Sequence, residues 1–336
     1  MEKVLVSGSQ GFIGSYVCQE LLRKGYKVEG IDDYSKYGYV VRPQDSHKNF
    51  EFTKGTVETY ISSVKNVNYI IHCAAKIGGI AYFHKYAYDL LSDNEKLNSS
   101  VFDFARHHES LKRIIYISSS MVFERSELFP TPEDHITKCP PPLSTYGASK
   151  LIGEYFCKGL KEQYGVDYTI IRPFNCVGVG EEDELGGIET PDGNSKMMLS
   201  HVLPDLMYRA LKLDYNEPFP ILGKGNQVRH YTNGKDLARA IVMCLDSEKA
   251  KNEAFNISHP DPMSVLDLLS IVLDTVYGKD RSTRKIKHLD AFEYDVQYRS
   301  PDVSKAKEVL GFKAKISVEK SVKEVYNWMK GKIDGI

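Results

Sequence analysis

The chain has 336 residues, 42% of them apolar and 26% charged, enough to bury one large core or two modest ones. Its 44 basic and 45 acidic side chains leave a formal charge of -1, which excludes a global field that would recruit nucleic acid or anionic lipid. No apolar run approaches the roughly 18–20 residues of a membrane span, and the opening "MEKVLVSGSQGF" lacks signal-peptide architecture, so a cytoplasmic protein is expected.

The elements are predicted in chain order from periodicity. "KVLVSG" (Lys3–Gly8) is a buried strand, followed by a helix from about Phe12 to Lys24 and a second strand at Lys27–Asp32. Further strands fall at Val67–Ala75 and Lys112–Ser120, with a long helix at about Tyr88–His108 between them. A helix at about Ser144–Tyr164 leads into the strand Asp167–Pro173. Continuous Val/Ile runs separated by helices indicate a parallel sheet covered on both faces, hence an α/β, doubly wound fold. After Pro173 comes a long polar stretch, of which Glu181–Lys196 is expected to be a specificity loop. Then follow a helix at about His201–Leu213, the strand and turn "FPILGKG", a helix at Lys235–Leu245, the strand "EAFNIS" and the helix "SVLDLLSIVLDTVYG". The six cysteines (Cys18, Cys73, Cys139, Cys157, Cys176, Cys244) are scattered without a C-x-x-C pair, so neither zinc nor a disulfide framework is expected.

Gly8-Ser9-Gln10-Gly11-Phe12-Ile13-Gly14 is G-x-x-G-x-x-G between the first strand and first helix. Glycines there let the backbone approach a pyrophosphate at a helix N-terminus. Asp32 ends the second strand 18 residues after Gly14. A carboxylate at that place accepts from ribose hydroxyls and repels a 2′-phosphate, which favours NAD over NADP.

This glycine spacing resembles the extended short-chain dehydrogenase/reductase family, whose members act largely on nucleotide sugars. Further landmarks follow in family order along nearly the whole chain: "HCAAKIGG" (His72–Gly79), Asn94, "YISSSMVF" (Tyr116–Phe123), "YGASK" (Tyr146–Lys150), "RPFNCVG" (Arg172–Gly178), "GKGNQVRHYTNGKDLARAI" and "YRSPDVSKAKEVLGFKAK". The resemblance implies a Rossmann-type sheet in residues 1–174, with a later crossover at about 226–258, and a smaller C-terminal α/β substrate-binding domain, mainly 175–336. It implies that Gly8, Gln10, Gly11, Phe12, Ile13, Gly14 and Asp32 hold NAD, and that Ala74, Ala75 and Lys76 line the nicotinamide side. Asn94 takes a structural role. Tyr146 is the acid/base. Lys150, one turn later, lowers its pKa and binds the nicotinamide ribose. Ser119, with its neighbour Ser120 as the alternative, holds the substrate oxygen. Asn175, His201, Arg229 and Arg299 are expected to contact the nucleotide-diphosphate sugar, the two arginines by gripping its diphosphate.

The position two after the active-site serine separates subgroups. Dehydratases of the family carry an acid pair there, decarboxylases a glutamate, and GDP-mannose 3,5-epimerase and GDP-fucose synthase a cysteine; here it is Met121. A thioether cannot abstract a proton, which leaves hydride-only chemistry and a 4-epimerase acting on a UDP-, GDP-, dTDP- or CDP-sugar. "AAKIGGI" instead resembles GDP-fucose synthase and GDP-mannose 3,5-epimerase, so a 3,5-epimerase/4-reductase or a 4,6-dehydratase stands as the alternative. A non-catalytic NAD-binding regulator is disfavoured by the intact Ser119, Tyr146 and Lys150. Thr56 stands where relatives place an acid near the adenine. A homodimer through the two long helices is expected on the same resemblance.

Overall fold

The computed structural model describes residues 1–78, 85–181, 201–279, 284–291 and 296–335. Gly79 and residues 182–196 of the expected specificity loop lie outside them. Seven parallel strands form the central sheet: β1 (Lys3–Ser7), β2 (Lys27–Asp32), β3 (Phe50–Lys54), β4 (Tyr69–His72), β5 (Arg113–Ile117), β6 (Tyr168–Pro173) and β7 (Glu253–Ile257). Their order is β3-β2-β1-β4-β5-β6-β7, with Val4 registered against both Val28 and Tyr69. The order reverses between β1 and β4, which opens a crevice at the carboxyl edge of the sheet.

Alternation along each strand divides the core into two layers. Val4, Val6, Ile115 and Ile171 face one layer; Leu5, Ile70, Ile114 and Ile170 face the other. The first layer is closed by α1 (Phe12–Arg23) and by the helix Gly234–Asp246, through Val17, Leu21, Leu237 and Ile241. The second is closed by α2 (Ala87–Arg106) and α3 (Thr145–Tyr164), through Val101, Phe102, Cys157 and Leu160. These side chains are fully or almost fully buried, and each contributes about 1.5–3 kcal/mol of transfer free energy. A third cluster lies beyond the sheet, where the helices Val202–Lys212, Val265–Tyr277 and Val318–Asp334 pack around Leu206, Phe219, Leu269, Val272 and Val322.

The observed elements follow the predicted ones to within a few residues. β3 was not predicted, because its "FEFTK" alternates apolar and charged residues at a half-buried sheet edge, and neither were the strand Ile286–Leu289 and the C-terminal helices Ser304–Leu310 and Val318–Asp334. The two-residue pairs Cys176–Val177 with Thr232–Asn233, and Val228–Arg229 with Met263–Ser264, are too short to leave a period. All six cysteines are free, and no metal-binding group occurs among the described residues. No helix among those residues is long and apolar enough to cross a membrane.

Candidate active site

The crevice begins at the glycine loop. Gly8 turns at φ +72°, and a Cβ on it would stand 2.7 Å from the Ala74 nitrogen; one on Gly14 would stand 2.0 Å from the Gly8 carbonyl oxygen. The loop therefore folds as tightly as the absence of side chains permits. Gly11 caps α1, and no side chain among the described residues takes the capping bond. The first amides of that helix are thus left without a capping side chain, as an anion-binding helix N-terminus requires. Asp32 accepts from the Gln10 N–H (3.0 Å) and the Tyr34 N–H (2.8 Å). Burial raises its pKa, and the amides of Tyr34, Gln10 and Gly11 oppose the rise.

The chain between β2 and β3 braces this loop. Arg42 Nε donates to the Gln10 carbonyl (3.0 Å), Gln44 Nε2 to the Ser9 carbonyl (3.1 Å), and Gln10 Nε2 to Asp45 (2.8 Å). Across the crevice, the Ala74 N–H donates to Ser7 Oγ (3.3 Å). Asn94 clamps Lys76 at both ends of its peptide: Oδ1 accepts from Lys76 N–H (2.7 Å) and Nδ2 donates to its carbonyl (3.1 Å). That is the structural part the sequence suggested for this asparagine.

At the end of β5 the three serines separate. Ser118 Oγ donates to Glu154 (2.6 Å), Ser119 hydrogen-bonds Tyr146 while its Oγ accepts from the Met121 N–H (3.1 Å), and Ser120 Oγ accepts from Arg299 (3.2 Å). Ser119 is thus the hydroxyl beside the tyrosine, and Ser120 faces the arginine. α3 delivers Tyr146 and Lys150 from its first turns. Its N-cap is Ser144, whose Oγ accepts from Gly147 N–H (3.1 Å) and which is itself held by Glu124 (2.9 and 3.0 Å).

Both α3 side chains are buried. Lys150 Nζ donates to the Ile117 carbonyl (2.9 Å) and lies 5.9 Å from the Tyr146 ring centre. Burial lowers the Lys150 pKa to about 8, with the neighbouring Cys73 and Glu95 opposing the fall. Burial also pushes Tyr146 up to about 12, with the Ser119 hydrogen bond and the Arg299 charge opposing it. Lys150, expected together with oxidised nicotinamide to lower the Tyr146 pKa, is not among the groups that oppose the rise in the protein by itself. Desolvation of the phenolate outweighs the favourable charges, and the opposing groups are Ser119 and Arg299.

Under this triad sits a buried ion pair that sequence reading missed. Arg172 on β6 grips Glu154 of α3 with two parallel bonds (2.7 and 2.8 Å) and donates to the Glu133 carbonyl (2.9 Å). The signal was present: Glu154 lies four residues after Lys150, an acid inside an apolar helix face.

The far wall is formed by segments 228–233 and 297–302. Asn175, at φ +36°, donates to the His230 carbonyl (3.1 Å), so its side chain anchors this wall. His230, unremarked in the sequence, bonds the His259 carbonyl through Nδ1 and Ser300 through Nε2, both at 3.0 Å. Burial lowers its pKa, so the ring is neutral, donating from Nδ1 and accepting the Ser300 hydroxyl at Nε2. The Arg299 N–H donates to the Val228 carbonyl (3.2 Å), bringing the Arg229 and Arg299 segments side by side. His201 meets Glu181 instead of the triad: its ring and its backbone N–H (3.1 Å for the latter) both bond that buried carboxylate. Burial raises the Glu181 pKa, but the His201 contacts and the Lys36 charge reverse the shift to a net lowering.

Comparison with known proteins gives the same fold. A putative UDP-glucose 4-epimerase of Methanocaldococcus jannaschii is 28% identical over 339 residues, covering 97% of this chain and 98% of that protein. GDP-L-fucose synthase 1 of Arabidopsis thaliana is 26% identical over 331 residues, covering 97% and 92%. The crystal structure of UDP-glucose 4-epimerase from Thermotoga maritima with UDP-glucose superposes with a TM-score of 0.81 at 25% identity, covering 98% and 99%. Residues 4–258 match the NAD dependent epimerase/dehydratase family, and the chain belongs to it.

Proposed function

We propose that this protein epimerises a nucleotide-diphosphate sugar at C4 and that NAD is its recycled cofactor. The observation that carries the proposal is the meeting of Ser119, Tyr146 and Lys150 at the crevice, with Met121 in the place where a second acid or base would act. The tight glycine loop and the Asp32 carboxylate suit NAD: Gly8 packs against the Ala74 backbone and Gly14 against the Gly8 carbonyl, closer than any side chain would allow. When bound, NAD supplies a hydride acceptor that returns the hydride, and in its oxidised form a positive charge beside the phenol. Tyr146 takes the C4 hydroxyl proton and gives it back after the keto sugar has turned over. Ser119 holds that oxygen by hydrogen bonding, and Lys150 supplies positive charge and ribose contact. Arg229 and Arg299 hold the diphosphate, with Asn175 and His230 fixing the wall they stand on.

Residues 1–174 with 226–258 serve as the cofactor half, and the remainder of 175–336 as the sugar half; the third core cluster, separate from the two sheet layers, supports this division. We read the protein as a cytoplasmic homodimer with no membrane or nucleic-acid partner. The test is an NMR screen of UDP-, GDP-, dTDP- and CDP-sugars without added NAD(H), repeated with Tyr146→Phe. Turnover without added cofactor, lost in the variant, is expected. Unchanged turnover in the variant overturns the role of Tyr146. Stoichiometric consumption of reduced cofactor selects the second reading, a 3,5-epimerase/4-reductase, which the "AAKIGGI" segment favours.

A further inference from the structure

Lys150 must keep a proton while buried, and among the described residues groups from β4, α2, α3 and β5 surround it. β4 brings His72, whose pKa burial lowers to about 3 so that it is neutral, and Cys73, which burial pushes up to about 12. α2 brings Glu95. α3 itself brings Tyr146, and β5 brings the Ile117 carbonyl and Tyr116. An ammonium has three donors. Among the described residues, the Ile117 carbonyl is its hydrogen-bond acceptor.

Beneath it lies the ring of Tyr116, its centre 5.3 Å from Nζ, closer than that of Tyr146. A cation within about 6 Å over an aromatic face is attracted by the ring quadrupole, more strongly where water is excluded. Tyr116 is 1% exposed. Its place is made by Gly153, where a Cβ would stand 2.1 Å from the Tyr116 ring and hydroxyl. The glycine has no turn to make in mid-helix, where it costs roughly 1 kcal/mol against alanine. Its missing side chain is the room the ring occupies.

We propose that Tyr116 is a positioning residue for Lys150, its ring admitted under α3 by Gly153 and its face holding the ammonium at the Ile117 carbonyl. The proposal rests on the reading of Lys150 as part of the reaction, and its test separates the two. In the holoenzyme, Tyr116 is replaced by Phe and then by mono-, di- and trifluorophenylalanine, which drain the ring face while nearly keeping its shape. The proton midpoint of Lys150 is followed by NMR of 13Cε-labelled lysine, assigned with Lys150→Met, and turnover is recorded against pH.

The Phe variant is expected to keep the midpoint. The fluorinated series is expected to lower it stepwise, reaching about half to one pH unit with three fluorines. A midpoint that ignores fluorination overturns the proposal, and so does a Phe variant that shifts as far as the trifluoro ring. A midpoint that moves with fluorination while the alkaline limb of turnover stays fixed overturns the catalytic use of Lys150, leaving the ring contact standing.

Discussion

Tyr146 and Lys150 are pushed in opposite directions by one cause. Burial disfavours whichever form is charged, raising the phenol to about 12 and lowering the ammonium to about 8. Tyr146→Phe removes the proton-transfer group and little else, so kcat is expected to fall by roughly 10²–10⁴ with KM changed a few-fold at most, read from steady-state kinetics. Lys150 has a consequence for stability. Its folded pKa lies below the unfolded value of 10.5, so the unfolded chain binds more protons between pH 8 and 10.5, and the penalty is complete below pH 8. The shift corresponds to about 3 kcal/mol. Lys150→Met is therefore expected to be inactive yet gain stability over wild type at pH 7, and that advantage should shrink as pH rises from 8 to 10.5. Urea unfolding at several pH values measures it; an advantage independent of pH refutes it. At this scale the sequence made Tyr146 and Lys150 legible through their spacing, and left Ser119 and Ser120 open. A run of identical hydroxyls carries no internal mark of register. Only the three-dimensional partners Glu154, Tyr146 and Arg299 separate them.

Among elements, β5, β6 and α3 are tied together beneath the site by Glu154 and Arg172, each 2% exposed or less at the side chain. A buried pair contributes little net stability when intact, because desolvation offsets the attraction, but removing one member strands the other. Glu154→Ala is expected to cost about 3–5 kcal/mol, seen as a lower urea midpoint at unchanged m-value. Replacing both, with Glu154→Leu and Arg172→Met, is expected to recover only part of the loss. Ser118 then loses its acceptor and the Glu133 carbonyl its donor, so polar groups stay buried without partners. Full recovery would show that the pair acts alone. The elements themselves were readable wherever both faces are buried, since β1, β4, β5 and β6 are continuous apolar runs. β3 was not, because an edge strand alternates charge with apolar residues. The wall at 228–233 was legible only as a motif: two-residue strands and the His230 tether depend on contacts distant in sequence.

At the scale of the molecule, the remaining exposed apolar groups bear on assembly. α2 and α3 pack side by side and run in the same direction, Arg106 at the end of one donating to the Tyr164 hydroxyl at the end of the other (3.2 Å). Their outer surface presents Tyr88 (80% exposed), Ile152 (37%) and Tyr155 (63%). Isolated exposed apolar residues need no explanation, but aromatic groups on a helix pair suit the centre of an interface. Ile152 and Tyr155 lie three residues apart on one face of α3, so a second copy covering one would cover both. A two-fold contact centred on this face would take a new carboxylate at 155 out of water, a cost that the neighbouring cation Lys158 (Nζ 5.5 Å from the Tyr155 ring centre) offsets only in part. Tyr155→Glu is therefore expected to weaken association roughly 30-fold or more. Light scattering behind a sizing column should then give the single-chain mass of 38.1 kDa at concentrations where the wild type gives twice that. Turnover per chain in the variant should stay near wild type, because Tyr155 faces away from the crevice that holds Tyr146. A wild type that already runs at 38.1 kDa at micromolar concentration refutes the dimer itself.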